Sequence, residues 1–388
     1  DAGQESNGNR VSMSLGGPTM KAPYDPAPIL DYAIPLRSIY LNVTNRCNLK
    51  CIHCAFESGA GAEELTCGEL EQIVGEAVGL GLRYATIIGG EPFVRRDIFR
   101  IVEAFLHQRV RVGISTNGTL INEVMGRRLK QLPRQDVFLG VSLDGANAET
   151  HDSFRGVAGS FEAAVRGARI AQQAGFPLMI QSVLNRSNVE EIPAVLNLAL
   201  RLNAWYRIVP SILPTGRGTA VAQKLNLGAV ELARFLDKMF EIKRSLAPDQ
   251  RFLIAIPPAL TPPDLIDYGS LACDWGRGFC GILPNGDVAL CHASDFCGGF
   301  STNVPSLIAG NIRKERFTRI WRHSDLFSRL RQIDADDLKG VCALCAVRDW
   351  CRGYCRIRAF VEYGDLKAPD PICQRAYEEE VFPDYSLE

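Results

Sequence analysis

The sequence lacks the features of a nucleic-acid-binding, membrane-spanning or secreted protein. Its 43 basic and 44 acidic side chains leave a net charge of -1, which gives no support to a nucleic-acid groove or a polybasic membrane surface. No stretch approaches the ~18 consecutive apolar residues of a transmembrane helix. Residues 1–20 are polar and glycine-rich, without the apolar segment of a secretory signal. These absences favour a cytoplasmic protein whose 388 residues fold into one large and one smaller domain.

Cysteine is the residue type that the chain has in excess. The chain has 13 cysteines, but secreted disulfide scaffolds are usually short, and a chain of 388 residues is not. Only Cys67 and Cys297 fall outside two closely spaced groups. In a reducing cytoplasm such spacing is typical of metal sites, so the composition predicts a metalloprotein.

Short apolar runs alternate with amphipathic segments from about residue 38 to 210. The runs are SIYLNVT (38–44), ATIIG (85–89), VRVGIS (110–115), VFLGVS (137–142), PLMIQSVL (177–184) and YRIVPSIL (206–213). Six strands separated by helices predict an α/β fold with a parallel sheet, either a partial (β/α)6 barrel or a doubly wound sheet. In both arrangements the site lies at the C-terminal ends of the strands.

The pattern weakens after residue 214, and it divides the chain into four predicted parts. Residues 1–36 are expected to be a disordered tail, 37–225 the barrel, 226–272 a proline-containing connection, and 273–388 a cysteine-rich domain that folds around metal. Within the last part, residues 313–331 are expected to form an amphipathic helix that packs through Ile320, Trp321, Phe327 and Leu330.

The first cysteine group is C-x3-C-x2-C, formed by Cys47, Cys51 and Cys54 directly after the first predicted strand. His53 could complete a tetrahedral zinc site with these thiolates. Alternatively, three thiolates on a four-iron cluster leave one iron open for a small ligand.

CNLKCIHC (47–54) resembles the signature of the radical S-adenosylmethionine (SAM) superfamily, and four further segments agree with it. GGEPF (89–93), STNG (115–118) and SLDG (142–145) end the second, third and fourth strands, and HDSFR (151–155) follows. The resemblance implies that the three cysteines hold a catalytic [4Fe–4S] cluster. It also implies SAM contacts, which are the backbone of His53 at the adenine with Leu184 packed near it, Gly90 and Glu91 at the methionine, Asn117, Ser142 at the ribose and Arg155 at the carboxylate.

Each of these segments also has an ordinary structural explanation. GGEP alone could be a turn that leads into a helix, SLDG a strand end, and Arg155 a surface charge. The ordered recurrence of the segments at successive strand ends favours the radical SAM interpretation.

The second cysteine group provides eight thiolates, enough for two iron–sulfur clusters or two zinc ions. It resembles the SPASM extension of radical SAM enzymes, which holds two auxiliary [4Fe–4S] clusters. By that resemblance the first auxiliary cluster is held by Cys273, Cys280, Cys291 and Cys355. The second is held by Cys342, Cys345, Cys351 and Cys373.

The segments SLDGANAETHDSFRGVAGSF (142–161), PTGRGT (214–219) and CDWGRGFCGILPNGDVALC (273–291) resemble those of mycofactocin maturases and related peptide-modifying maturases. In anaerobic sulfatase maturases an aspartate base follows the cysteine that corresponds to Cys291, whereas this chain has His292. A leader-recognition domain does not fit into 36 residues, so the resemblance implies a separate recognition protein, together with a reductant such as flavodoxin or ferredoxin.

The leading hypothesis is an enzyme that uses a 5′-deoxyadenosyl radical to modify a ribosomally made peptide, by crosslinking, oxidative decarboxylation or a related maturation. An alternative is the modification of a tetrapyrrole side chain, because haem-pathway enzymes share part of the motif and a cysteine-rich tail. A third hypothesis is a non-catalytic electron-transfer or zinc-stabilised protein. The GGEP and HDSFR segments argue against it, because such a protein does not need them.

Overall fold

The computed structural model describes residues 34–56, 58, 63–247, 250, 252–266, 273, 275–294 and 307–387. Most of the predicted tail and Cys297 lie outside the described residues. Leu36, which the sequence analysis placed in the tail, is fully buried, and its amide donates to the carbonyl oxygen of Leu80.

Within these described residues, ten strands form one sheet in the order β10-β9-β8-β1-β2-β3-β4-β5-β6-β7, and β1 to β7 run parallel. Their bounds are β1 Ser38–Asn42, β2 Tyr84–Ile88, β3 Arg111–Thr116, β4 Val137–Ser142, β5 Leu178–Val183, β6 Trp205–Val209, β7 Phe252–Ile254, β8 Phe279–Ile282, β9 Asp287–Ala289 and β10 Ile308–Asn311. The six predicted strands are therefore confirmed, and so is the predicted α/β fold.

The helices alternate with the strands through the first two thirds of the chain. They are α1 Cys67–Gly79, α2 Ile98–His107, α3 Glu123–Leu129, α4 Ala148–Arg155, α5 Ser160–Gln173, α6 Ile192–Arg201, α7 Ala222–Leu225, α8 Ala229–Ser245, α9 Phe317–His323, α10 Asp325–Arg331, α11 Arg348–Cys351, α12 Arg356–Tyr363 and α13 Pro371–Glu378. Sequence-local signals start several of them, such as the capping box of Thr66 and Glu69 at α1.

The sheet continues beyond the barrel boundary expected at residue 225. β7 pairs with β6, and β8, from the cysteine-rich region, pairs in parallel with β1. The two ends of the barrel sheet are therefore extended by segments that the sequence analysis had assigned to a connection and to a separate domain. β7 has only three residues and β8 only four, too few for their periodicity to be recognised.

The predicted amphipathic helix over 313–331 is instead two short helices, α9 and α10. Ser324 lies between them in an extended conformation, and its side chain caps α10 by accepting from the amide of Phe327. The predicted buried face is confirmed, because Trp321 and Phe327 are both fully buried. The buried apolar residues of this part of the chain belong to the same core as those of the barrel, so its folding does not depend on metal alone.

Candidate active site

The loop after β1 places Cys47, Cys51 and Cys54 at the C-terminal edge of the sheet. Cys51 is buried and the other two are half-buried. The amide of Leu49 donates to Sγ of Cys47 at 3.4 Å, and Nη1 of Arg155 lies 3.8 Å from Sγ of Cys51. Burial raises the pKa of Cys47 to about 11, so this thiol becomes a thiolate when it binds metal, with release of a proton.

Two other segments fix this loop through its backbone. The amides of Lys50 and Ile52 donate to the carbonyl oxygens of Arg155 and Phe154, at the end of α4. From the PTGRGT segment, Nε of Arg217 donates to the carbonyl oxygen of the middle cysteine at 2.9 Å. The cysteine loop is thus held between the HDSFR and PTGRGT segments, which are about 60 residues apart in the sequence.

The GGEP segment closes against the same loop from β2. A Cβ atom on Gly90 would collide with the carbonyl oxygen of Arg46, so only glycine permits this approach. The carboxylate of Glu91 is fully buried and accepts from Oγ1 of Thr116 and from the amide of Asn117, each at 2.7 Å. Burial raises its pKa, against the effect of these hydrogen bonds. The structure therefore gives the Glu91 carboxylate partners within the protein.

Arg155 forms a buried ion pair with Asp144 of the SLDG segment. Nη2 of Arg155 lies 2.5 Å from Oδ2 of Asp144, while Oδ1 accepts from the amide of Val183 at 2.7 Å. Burial opposes ionisation of Asp144, but the charge of Arg155, together with His53, His151 and the amide of Val183, holds the carboxyl pKa below its ordinary value. Nε of Arg155 has no hydrogen-bond partner among the described residues, and this leaves a donor for a bound carboxylate.

The remaining predicted SAM contacts lie around this edge. The ring of His53 stacks on Phe154 with centroids 4.0 Å apart, and burial lowers the pKa of His53 to about 3. Asn117 donates from Nδ2 to Oδ1 of Asn48 at 2.9 Å, so its amide supports the cysteine loop. Ser142 is half-buried at the last position of β4, and Leu184 is buried directly after β5.

The four cysteines assigned to the second auxiliary cluster line one small cavity. They are Cys342, Cys345, Cys351 and Cys373. Burial raises the pKa of Cys373 well above its ordinary value, and the other three thiols raise it further. In a buried site the negative charges of four neighbouring thiolates repel one another. The thiolate form is therefore favoured only when a positive centre lies between them.

The four cysteines assigned to the first auxiliary cluster are brought together only in part. Cys280 lies fully buried on β8, and Cys291 follows the antiparallel β9, so that a Cβ atom on Gly281 would meet the backbone of Cys291. Cys273 is exposed and Cys355 is half-buried before α12. The described contacts therefore bring the strand that carries Cys280 close to Cys291, and the assignment of Cys273 and Cys355 rests on the sequence.

Two known protein families match the sequence of this chain. The sequence model of the radical SAM superfamily matches residues 41–199, and that of the SPASM iron–sulfur cluster-binding domain matches residues 273–346. The chain belongs to the radical SAM superfamily. It is therefore a radical SAM/SPASM enzyme, and the non-catalytic hypothesis is wrong. Its cofactors are a [4Fe–4S] cluster with SAM, and auxiliary iron–sulfur clusters in the SPASM domain.

Two relatives agree with this membership, and a solved structure has a similar fold. The chain is 34% identical over 354 residues to the AdoMet-dependent heme synthase of Methanosarcina barkeri, covering 87% of this chain and 96% of the relative. It is 35% identical over 335 residues to the mycofactocin maturase MftC of Mycolicibacterium smegmatis, covering 85% and 81%. The fold is similar to SuiB of Streptococcus suis bound to SAM, with a TM-score of 0.69 at 18% identity over 88% of this chain and 78% of SuiB.

The radical SAM site also contains residues that the sequence analysis did not single out. Asp144 pairs with Arg155, Phe154 stacks on His53, and Arg217 anchors the cysteine loop. All three lie within segments that had been recognised as motifs, SLDG, HDSFR and PTGRGT. The recognised motifs therefore contained these residues, but which side chains contact one another depends on the fold.

No helix in the described part of the chain has the length and apolar character needed to cross a membrane.

Proposed function

We propose that Cys47, Cys51 and Cys54 hold the SAM-binding cluster and that the radical SAM edge of this chain acts on a ribosomally made peptide. The observation that supports the site is the packing of the cysteine loop against GGEP and the end of α4. When bound, the cluster and SAM supply a 5′-deoxyadenosyl radical that abstracts hydrogen from a substrate carbon.

The protein's own part is to bind and orient SAM at the strand ends. Gly90 lets the backbone approach the methionine, Arg155 offers Nε to the carboxylate, and Ser142 faces the ribose at the end of β4. The backbone around His53 and Leu184 borders the adenine. Each of these groups lies on a strand end or on a loop fixed by hydrogen bonds, which favours a rigid site.

We assign the eight SPASM cysteines to two auxiliary [4Fe–4S] clusters. Cys342, Cys345, Cys351 and Cys373 line one cavity, which supports their assignment to one cluster. Cys273, Cys280, Cys291 and Cys355 provide the other. Each iron of such a cluster binds its own thiolate, so the ligands surround the cluster and need not meet at one point.

The peptide substrate is supported by the 35% identity to mycofactocin maturase MftC over most of the chain. The expected modification is a crosslink, an oxidative decarboxylation or a related maturation. A separate recognition protein presents the precursor, and a flavodoxin or ferredoxin supplies electrons. The reaction takes place in the cytoplasm, where a reducing environment keeps cluster ligands as thiols.

A tetrapyrrole substrate is the second candidate. It is favoured by the 34% identity to the AdoMet-dependent heme synthase, of which the chain covers 96%.

Anaerobic turnover of both substrate classes distinguishes the two candidates. Reconstituted enzyme with SAM and reductant is given co-expressed candidate precursor peptides or iron-coproporphyrin III, and products are identified by mass spectrometry. A mass change confined to a peptide supports the proposal, and one confined to the porphyrin supports the alternative.

Cys51→Ala is the control, because loss of a cluster ligand abolishes formation of 5′-deoxyadenosine. Cleavage of SAM by this variant would show that the triplet is not the active cluster.

A further inference from the structure

Arg207 lies on the face of β6 that points into the barrel. Along β6 the fully buried Tyr206 and Ile208 alternate with half-buried residues. The buried positions belong to the core that includes Val195 and Leu196 of α6. Since successive side chains of a strand point to opposite faces, Arg207 is on the face away from this helix, in the lumen enclosed by the sheet.

A hydrogen-bonded chain across three strands positions this guanidinium. Nη1 of Arg207 donates to Oε1 of Gln181 on β5, and Nε2 of Gln181 donates to Oγ of Ser115 on β3, each at 3.3 Å. Gln181 reaches Ser115 by crossing over Gly140 of β4. Its Nε2 atom lies 2.7 Å from where a Cβ atom of Gly140 would be, so the glycine leaves the space that this network occupies.

The charge of Arg207 has no carboxylate partner in the described part of the chain. Its described hydrogen bond is to the neutral Gln181, and the lumen-facing positions of β1 to β7 carry no aspartate or glutamate. The titratable groups whose pKa values depend on its charge are Tyr84, His292 and Tyr354, and none of them is a carboxylate.

The position of Arg207 relates it to the SAM site. Val209, two residues later on β6, has its carbonyl oxygen bonded to the amide of Leu184, the residue expected at the adenine. Two residues of a strand span about 7 Å, so Arg207 lies one layer of side chains below the edge at which the radical forms. Aromatic rings line the opposite side of the lumen, where Tyr40 packs against His292 with centroids 4.4 Å apart.

We propose that Arg207 binds a carboxylate of the substrate inside the barrel lumen and so determines which carbon faces the radical. This inference rests on the proposed function and specifies the substrate as a carboxylate-bearing molecule. An arginine suits this role because its fork of donors binds a carboxylate through two hydrogen bonds and fixes its orientation. The Gln181–Ser115 chain holds the fork in place before the substrate arrives, which reduces the entropy cost of binding.

Binding of a matched pair of small probes tests this role without knowledge of the natural substrate. The probes are 3-(4-hydroxyphenyl)propionate and its primary amide, titrated into reconstituted full-length protein with SAM and followed by ligand-observed NMR. We expect the carboxylate to bind at least about tenfold more tightly than the amide, since only the carboxylate forms charge-assisted bonds. Arg207→Gln should abolish this preference, and Arg207→Lys should retain part of it.

The control variant is Arg111→Gln, which removes an arginine that is about half exposed at the start of β3 and lies 4.0 Å from Asp136. It should keep the preference of the wild type. The proposal is overturned if the wild type binds the two probes equally or binds neither, or if Arg207→Gln keeps the preference. If the midpoint potential of an auxiliary cluster shifts in Arg207→Gln while the preference stays intact, the charge of Arg207 acts on that cluster and the proposal is wrong. Cleavage of SAM by the wild type is measured separately, so that failure of the proposed function is recognised independently of probe binding.

Discussion

Gly90 is the residue at which the cysteine loop comes closest to the end of β2. Gly90→Ala would place a methyl group against the backbone of Arg46, and backbone moves less readily than a side chain. We expect the loop to be displaced, with lower iron incorporation and formation of 5′-deoxyadenosine reduced by about 100-fold, as for a ~1 Å displacement of reacting groups. Iron analysis and chromatography of the nucleoside products provide the measurement.

Gly75→Ala is the matched control for this substitution. Gly75 lies inside α1, and a Cβ atom there has no neighbour within 4 Å. Alanine should stabilise the helix by about 0.5–1 kcal/mol and leave iron content unchanged. Normal iron and SAM cleavage in Gly90→Ala would show that the close approach is not required.

Arg356 stabilises the SPASM region through backbone carbonyl groups. It is 1% exposed, and its guanidinium donates to the carbonyl oxygens of Leu366, Ala368 and Gly353. Arg356→Met fills similar space but leaves these acceptors buried without a donor, so we expect a loss of about 2–4 kcal/mol of unfolding free energy. Chemical denaturation measures it, and Arg322→Met, at an exposed arginine of α9, is the control. Equal stability of the Arg356 variant and the wild type would contradict the prediction.

The candidate residues of the site could be selected from the sequence because they form motifs of fixed spacing. The three-cysteine loop and the glycines of GGEP are examples. The partners of these residues could not be predicted, since the Arg155–Asp144 pair joins different elements in a way that only packing determines. For the same reason the lumen position of Arg207 was not recognised in the strand YRIVPSIL, where it resembles any polar residue of an alternating strand.

At the scale of elements, the long periodic segments were predicted well and the short ones were missed. The apolar run VFLGVS (137–142), for example, coincides with the bounds of β4, Val137–Ser142. The strand β7 was missed because it has three residues and lies in a region rich in proline. The helix expected over 313–331 is divided at Ser324, whose capping hydrogen bond competes with continuation of the helix.

An ion pair connects α1 of the barrel to the segment before α9. Nε of Arg313 donates to Oε1 of Glu69 at 2.6 Å. This hydrogen bond, followed by those from the backbone and side chain of Thr66, lowers the pKa of Glu69 from 4.5 to about 2. The folded-state pKa is depressed, so the ionised carboxylate contributes stability above about pH 4.5, and that contribution is lost as the pH falls towards 2.

Glu69→Gln should therefore be less stable than the wild type near neutral pH by at most about 1 kcal/mol, since the pair is partly exposed. The difference should shrink as the pH falls through the interval between the two pKa values. Urea denaturation at several pH values measures it, and Glu103→Gln, on the exposed face of α2, is the control. A difference that stays constant down to about pH 2 would exclude ionisation of Glu69 as its source.

At the scale of the whole molecule, the pairing of β8 with β1 makes the radical SAM and SPASM regions parts of one sheet. Three clusters in one framework predict an iron content of ~12 per chain after anaerobic reconstitution, with an absorption band that bleaches on reduction. Iron analysis and spectroscopy test this count. Stoichiometric zinc with little iron would contradict the assignment of the cysteines.

The same framework allows the auxiliary clusters to be tested apart from SAM cleavage. Cys345 lines the cavity of the second auxiliary site, within the SPASM match, whereas the SAM-binding loop lies within the radical SAM match. Cys345→Ala should therefore retain cleavage of SAM to 5′-deoxyadenosine while formation of the modified substrate collapses, because one of four cluster ligands is lost.

Folding is the competing explanation, since a lost cluster can unfold the region around it. The apolar core around Trp321 and Phe327 is continuous with the barrel core, and it should keep the variant soluble. Soluble yield and iron content are therefore measured beside both activities, with Cys67→Ala, outside both cysteine groups, as the matched control. A folded Cys345→Ala protein that forms product at the wild-type rate would exclude an electron-transfer role for that cluster and leave it a structural one, because electrons that pass through a site cannot bypass its loss.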